Sequence, residues 1–401
     1  MNEGMLSLLV ITAIAAAVPM LVGLARIRVA EVVLLIAGGV ILGPEVLGLI
    51  TVDESIGLLA DLGLGMLFFV AGMELETRAV RGRSGRLAAI GWGVSLLIAG
   101  LVSLGLSIAG AVQDTLGVAI ALTSTALGTL LPILRDSKEL GTRFGTLFMG
   151  AGAWGEFGPI IAISILLGTQ QKFVAILTLA AFCALAAVIS LIPRRLANER
   201  VLAILDAGHQ TSSQTAVRIT MLLLIALLAL AGTFGLDVVL GAFVAGIIAR
   251  RLAPPSEESK LTVRVEAIAF GFLIPVFFVV SGANLDIDSI IANPGRLVLF
   301  FSLLLLVRGL PQFVIYRGAL PDARQRLRFS LLVATGLPII VAVTSLEVSA
   351  GVMDPRNAAA LVGAGALSVL FFPLIGQRLT RGQVAEADDQ ADDQERAENT
   401  A

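Results

Sequence analysis

Two charged residues stand where charge is costly. Glu156 lies near the middle of an apolar stretch, residues 145–167, and Arg308 sits in a second one, residues 297–316. An acidic or basic side chain at a membrane helix centre costs roughly 2.5–3.5 kcal/mol on insertion scales, which makes such residues functional-site candidates by default. A buried carboxylate can take a proton or a hard cation. A guanidinium can serve an anion, or cap carbonyls where a helix is broken. The bland alternative is a structural ion pair locking two helices. Hydroxyls and helix breakers stand at two further points: Thr123-Ser124-Thr125 followed by Gly128, and Gly336-Leu337-Pro338.

The elements that must position these groups are membrane helices. Of the 401 residues 57% are hydrophobic and only 14% charged, and the mean hydropathy is +0.94, values foreign to soluble domains. Apolar runs near 20 residues predict about thirteen membrane helices, centred near residues 14, 40, 64, 98, 125, 156, 182, 225, 243, 272, 306, 337 and 366. Glu3 stands where a secretory signal would carry basic residues, so the first run reads as a membrane helix. Lys and Arg fall almost wholly in alternate loops, and the opposite loops hold only Lys172, Arg296 and Arg356. By the positive-inside rule this predicts a bacterial plasma-membrane topology with the N-terminus outside and the C-terminus cytoplasmic. The single cysteine, Cys183, lies in an apolar run and excludes a disulfide framework. The only histidine, His209, falls in a predicted cytoplasmic loop, and Asp61 and Glu266 lie nearer helix ends than Glu156 does.

The chain also repeats itself. Phe68-Phe69-Val70-Ala71-Gly72 in the third helix parallels Phe277-Phe278-Val279-Val280-Ser281-Gly282 in the tenth, and Gly39-Val40-Ile41 in the second parallels Gly246-Ile247-Ile248 in the ninth. Matching helices are seven crossings apart, and an odd spacing makes the copies antiparallel, the inverted-topology repeat of many secondary transporters. The predicted architecture is therefore an all-α membrane domain over residues 1–381. It comprises repeat one at about 5–168, a connector helix at about 174–193 and repeat two at about 216–380. Residues 382–401, acidic and without an apolar run, read as a disordered cytoplasmic tail. In such folds the site lies where corresponding helices are interrupted at mid-membrane. The fifth and twelfth helices fit, through Thr123, Ser124, Thr125 and Gly128 in one and Gly336 and Pro338 in the other. Hydroxyls on membrane helices also bond their own backbone, and Gly or Pro can mark only a kink.

Gly38-Gly39-Val40-Ile41-Leu42-Gly43-Pro44, the Phe68–Glu76 stretch, Thr123-Ser124-Thr125-Ala126-Leu127 and Leu240-Gly241-Ala242-Phe243-Val244-Ala245-Gly246 together resemble the monovalent cation/proton antiporters of the Kef-type and bacterial sodium/proton exchanger group. The resemblance covers the chain to about Arg381. It implies a homodimer, crossed fifth and twelfth helices, an elevator-like movement, and an ion-binding carboxylate at Glu156. It also implies a basic partner at Arg308. One departure stands out. Many members precede the acid with Asp, Asn or Gln, whereas this chain has Gly155, so Arg308 lacks the partner that the family often supplies.

Exchange follows from elementary chemistry as well: one carboxylate carries a proton one way and a cation the other if the two compete for it. With a guanidinium that stays charged, the simplest stoichiometry is one proton per Na+ or K+, an electroneutral exchange. Arg308 is then expected either to pair with Glu156 only when no cation is bound, or to cap carbonyls at a helix break. No cofactor, resident metal cluster, catalytic triad or nucleic-acid motif is visible, and no phosphate loop that would power an ATP-driven pump. The chain reads as a transporter and not an enzyme, and a regulator of the Kef kind would come as a separate subunit. The alternatives are a channel-like potassium efflux protein and a non-transporting sensor or anion carrier in which Arg308 does the work.

Overall fold

The computed structural model describes residues 3–25, 30–74, 82–166, 214–233, 238–252 and 258–398. The expected connector helix, Cys183 and His209 lie outside them. Among the described residues there is no strand, and nine helices are long and apolar enough to cross a membrane. Two shorter apolar helical segments, Glu31–Leu42 and Thr115–Leu130, join them. The last helix runs Pro355–Glu398 and carries the acidic segment beyond residue 382 as its continuation.

The chain forms two compact units, each drawing on both halves of the sequence: Met1–Glu76 with Pro159–Asp288, and Thr77–Gly158 with Ser289–Ala401. In the first unit Glu54–Glu74 packs on Val238–Leu252, and Glu31–Leu42 packs on Ile274–Ala283. Both contacts are backbone-close because glycine permits them. A Cβ on Gly72 would abut the carbonyl of Phe243, and one on Gly246 the carbonyl of Phe69. In the other pair a Cβ on Gly282 would abut Ile36 O, and one on Gly39 would abut Val279 O. Small residues are how membrane helices gain van der Waals contact where lipid is as apolar as the side chains. Arg250 Nη1 donates to Met73 O at 3.1 Å, satisfying a carbonyl at the end of Glu54–Glu74.

The second unit contains the interrupted helices. Thr115–Leu122 and Leu127–Asp136 are separated by residues 123–126, and Ala323–Val333 and Pro338–Ser349 by residues 334–337. Asp114 caps the first half-helix, its Oδ1 accepting from the Gly117 amide at 2.8 Å. Pro338 opens the last one, where a missing N–H costs nothing. Leu304–Gly309 is a π-helical turn that carries Arg308. Pro311 follows, and its ring removes an amide from the ladder and crowds the carbonyl of Val307, a cause for widening the turn. An aromatic cluster of Phe144, Phe148, Tyr316 and Phe329 fills one end of the unit. Beside it Arg328 makes a two-pronged ion pair with Glu139, 2.6 Å on each side, and lies over the Phe144 ring.

Candidate functional site

The two interruptions meet in the second unit. A Cβ on Gly336 would lie 2.5 Å from Ser124 Oγ and 3.0 Å from Ser124 O, so the second break rests directly on the first. A main-chain bond stitches them, the Ala126 amide donating to Thr335 O at 2.7 Å, and the Thr125 amide ties the first break to the helix Arg143–Leu166 by donating to Gly155 O at 3.0 Å. Gly336 is held from the other side by Ser368, whose Oγ accepts from the Gly336 amide at 3.2 Å and donates to Gly365 O at 2.7 Å.

The three hydroxyls of the first break part company. Thr123 and Ser124 donate to Ile120 O and Ala121 O, each at 2.8 Å, the local back-bonding that competes with any ion-binding role. Thr125 donates instead to Val333 O at 2.7 Å, the carbonyl that closes the half-helix Ala323–Val333. Its oxygen accepts from Arg308 Nε at 3.2 Å and Nη2 at 3.1 Å. A hydroxyl has one proton and two lone pairs. Thr125, expected among the ion ligands, is thereby saturated and acts as the anchor of the guanidinium.

Arg308 is 1% exposed, and Nη2 also donates to Ala151 O at 3.0 Å. Its partners are a carbonyl and a hydroxyl, and none of its hydrogen bonds goes to Glu156. The carbonyl it reaches belongs to the continuous helix Arg143–Leu166 and not to a helix break. Nη1 is buried without a hydrogen-bond partner. Gly155 is what makes room: a Cβ there would abut Thr125 and lie 2.7 Å from Arg308 Nη2. The space a side chain at position 155 would take is here filled by Thr125 and the guanidinium.

Glu156 meets the start of the half-helix Leu127–Asp136. Its Oε1 accepts from the Leu127 amide at 2.9 Å and, more weakly, from Gly128 at 3.4 Å. A carboxylate at this place gains from unsatisfied amides and from the positive end of the helix dipole. Gly128 thus takes part through its amide. Aromatic rings wall the region: Trp92 stacks against the backbone at Gly158, and Trp154 lies 6.3 Å from Trp92 and 6.1 Å from Phe157.

Sequence reasoning missed several groups. Glu347 is an acid on the apolar half-helix Pro338–Ser349, 6% exposed, and its lone charge there was the available signal. Asp114 is 5% exposed. Gln312, one turn beyond Arg308, donates to Ser95 Oγ at 3.3 Å and is equally enclosed. No signal in the local sequence pointed to the Glu139–Arg328 pair.

With this geometry in hand, similarity to known proteins is informative. A family model described as the transmembrane sodium/hydrogen exchanger matches residues 10–382. The chain is 23% identical over 391 residues to the putative Na(+)/H(+) antiporter YjbQ of Bacillus subtilis, covering 93% of this chain and 62% of that protein. It is 26% identical over 391 residues to the glutathione-regulated potassium-efflux system protein KefC of Salmonella schwarzengrund, covering 92% and 61%. The chain therefore spans about three fifths of the length of these relatives. Its fold is similar to that of the sodium proton antiporter MjNhaP1 of Methanocaldococcus jannaschii. The TM-score is 0.62 and the identity 17%, over 94% of this chain and 99% of that one.

Proposed function

The chain belongs to the transmembrane sodium/hydrogen exchanger family, and from that premise we propose that it exchanges protons for Na+ or K+ by alternating access, with Glu156 as the single exchanging carboxylate. It is a multi-pass membrane transporter. The observation that carries the reading is the placement of Glu156: its carboxylate lies at the start of a half-helix, beside the crossing of two breaks. Arg308 supports it. A guanidinium committed to Thr125 and Ala151 leaves the cation's place on Glu156 untaken by its own charge. One titrating acid and one fixed base give one proton per cation and electroneutral exchange.

The inverted repeat belongs to the same proposal. The helix contacts of the first unit support it: Gly72 on Phe243 and Gly246 on Phe69 match Gly282 on Ile36 and Gly39 on Val279 in the parallel stretches of the sequence. Thirteen helices, an outside N-terminus and a homodimer complete the picture. Because one relative is named as a potassium-efflux system and another as a sodium/proton antiporter, both cations must be tried.

The test is dye-reported proton movement in everted vesicles on adding Na+ or K+, for wild type and Glu156→Gln. Proton efflux driven by either cation and abolished in the variant at equal expression is expected. No proton movement with either cation between roughly pH 6 and 9 would remove the antiporter reading and favour a channel.

A further inference from the structure

We propose that Glu139 and Arg328 are the positioning pair of the exchange site: together they fasten, away from the site itself, the three helical segments that carry its groups. The inference rests on the reading of Glu156 as the exchanging carboxylate. Neither residue hydrogen-bonds to that carboxylate, so the pair acts through the helices it joins.

Glu139 is built into two of the segments through its backbone. The half-helix Leu127–Asp136 ends in a Schellman motif: Lys138 takes a left-handed φ of 58°, and the Glu139 amide donates to Leu134 O at 3.0 Å. Glu139 O in turn accepts from the Thr142 amide at 3.0 Å and from the Thr142 hydroxyl at 2.7 Å. The same hydroxyl oxygen caps Arg143–Leu166, accepting from the Gly145 amide at 3.2 Å. Gly145 permits this approach, since a Cβ there would abut Glu139 O. The two helices are thus a hairpin with Glu139 at its bend. Far along the second arm, Glu156 closes the hairpin by accepting from the Leu127 amide, at the start of the first.

The side chain of Glu139 joins the third segment. Arg328 forks onto its two oxygens at 2.6 Å each, and Ser137 Oγ donates to Oε2 at 3.2 Å. Arg328 lies on Ala323–Val333, whose last carbonyl takes the Thr125 hydroxyl that anchors Arg308. The side chains are 6% and 19% exposed, which sets the pair apart from solvated surface bridges of little consequence. Removing one partner leaves the other charge beside an apolar aromatic cluster. Helices carry a change at the bend to the site as levers. Glu156 stands about 20 Å along its helix from Thr142. A tilt of about 3° would displace it by about 1 Å, a misplacement large enough to weaken a site strongly.

The test compares Glu139→Gln, Arg328→Gln and the double variant with wild type in everted vesicles. In each single variant the apparent KM for the driving cation should rise by about two- to thirtyfold, with the maximal rate changing less. The double variant should be no worse than the more affected single one, because the pair is one fastening. Leu320→Ala, which loosens the neighbouring cluster without touching the fork, should lower the unfolding midpoint and leave KM unchanged. A readout independent of transport comes from the only two tryptophans, Trp92 and Trp154. In a Trp154→Phe background Trp92 alone emits, stacked at Gly158 just beyond Glu156. Its emission maximum should shift in Glu139→Gln and Arg328→Gln and stay put in Leu320→Ala. In folded variants a wild-type KM or an unmoved Trp92 emission overturns the proposal, as does an equal KM rise in Leu320→Ala. Should a glutamine variant fail to fold, Glu139→Asp, which keeps the charge and draws it back by one methylene, carries the same expectation and the same power to overturn. Were wild type to move no protons, the exchange reading would fall, and Trp92 emission would still decide whether the pair positions this region.

Discussion

At the residue scale the site is defined by what Gly155 lacks. Its missing Cβ is where Thr125 and Arg308 Nη2 sit, so placing a polar side chain there cannot simply add a ligand. Gly155→Asp is expected to displace the guanidinium from Thr125, lower the unfolding midpoint through overpacking of about 1–3 kcal/mol, and abolish exchange. Wild-type exchange in this variant would mean that Thr125 and Arg308 can vacate the space freely. Arg308→Lys probes the other side. An ammonium keeps the charge but is a point donor, unable to reproduce a planar fork that reaches Thr125 Oγ1 twice and Ala151 O once. A charge-assisted hydrogen bond contributes about 1.5–3 kcal/mol, so thermal unfolding of the Lys variant should show a loss of that order. Arg308→Gln, which also removes the charge, should lose more. Equal stability of the two variants would mean that geometry, and not charge, is what the position supplies.

At the element scale the working unit is the pair of broken helices resting on each other through Gly336. The contact is with Ser124 Oγ and with its carbonyl, and backbone yields less readily than a side chain. Gly336→Ala is expected to pry the crossing apart, costing about 1–3 kcal/mol and most of the exchange rate. Combining it with Ser124→Ala should recover part of the loss, since the nearer of the two contacts is then gone; the coupling, read by a double-mutant cycle, should be at least about 0.5 kcal/mol. Additive losses would place the crossing elsewhere. The breaks were legible in sequence because Gly, Pro and hydroxyls at mid-membrane are locally conspicuous, as was Glu156 through its isolation. The hydrogen bonds were not legible. Thr123, Ser124 and Thr125 look alike in sequence, and only a contact to Val333 and Arg308, residues far along the chain, makes the third different. Asp114 and Glu347 lay hidden for another reason. Each sits at the end of a half-helix, where interfacial water would ordinarily explain an acid, and their burial depends on how the two half-helices pack.

At the scale of the whole molecule the repeat and the exchange cycle make separate demands. If the four glycine contacts of the first unit are two copies of one packing, Gly39→Ala, Gly72→Ala, Gly246→Ala and Gly282→Ala should each destabilise by about 1–3 kcal/mol. Gly57→Ala and Gly93→Ala, which meet open space within their helices, should be neutral or stabilise by up to about 1 kcal/mol. Unequal behaviour between corresponding members would argue that the likeness is local. The exchange cycle has a sharper signature, because a proton and a cation that compete for the one carboxylate cannot both be bound. Cation binding then requires the deprotonated group and releases a proton, so acidification weakens apparent cation affinity. In proteoliposomes with pH equal on both sides, the apparent KM for the driving cation should rise by up to about tenfold per unit fall in pH, once the carboxylate is mostly protonated. The maximal rate should change far less, and no current should accompany turnover. A KM independent of pH, with the rate alone falling, would mean that the proton binds elsewhere than the cation. A sustained current would mean that a second titrating group moves with Glu156. Arg308, held by a hydroxyl and a carbonyl that do not titrate, offers no such group, so the search would turn to Asp114 and Glu347.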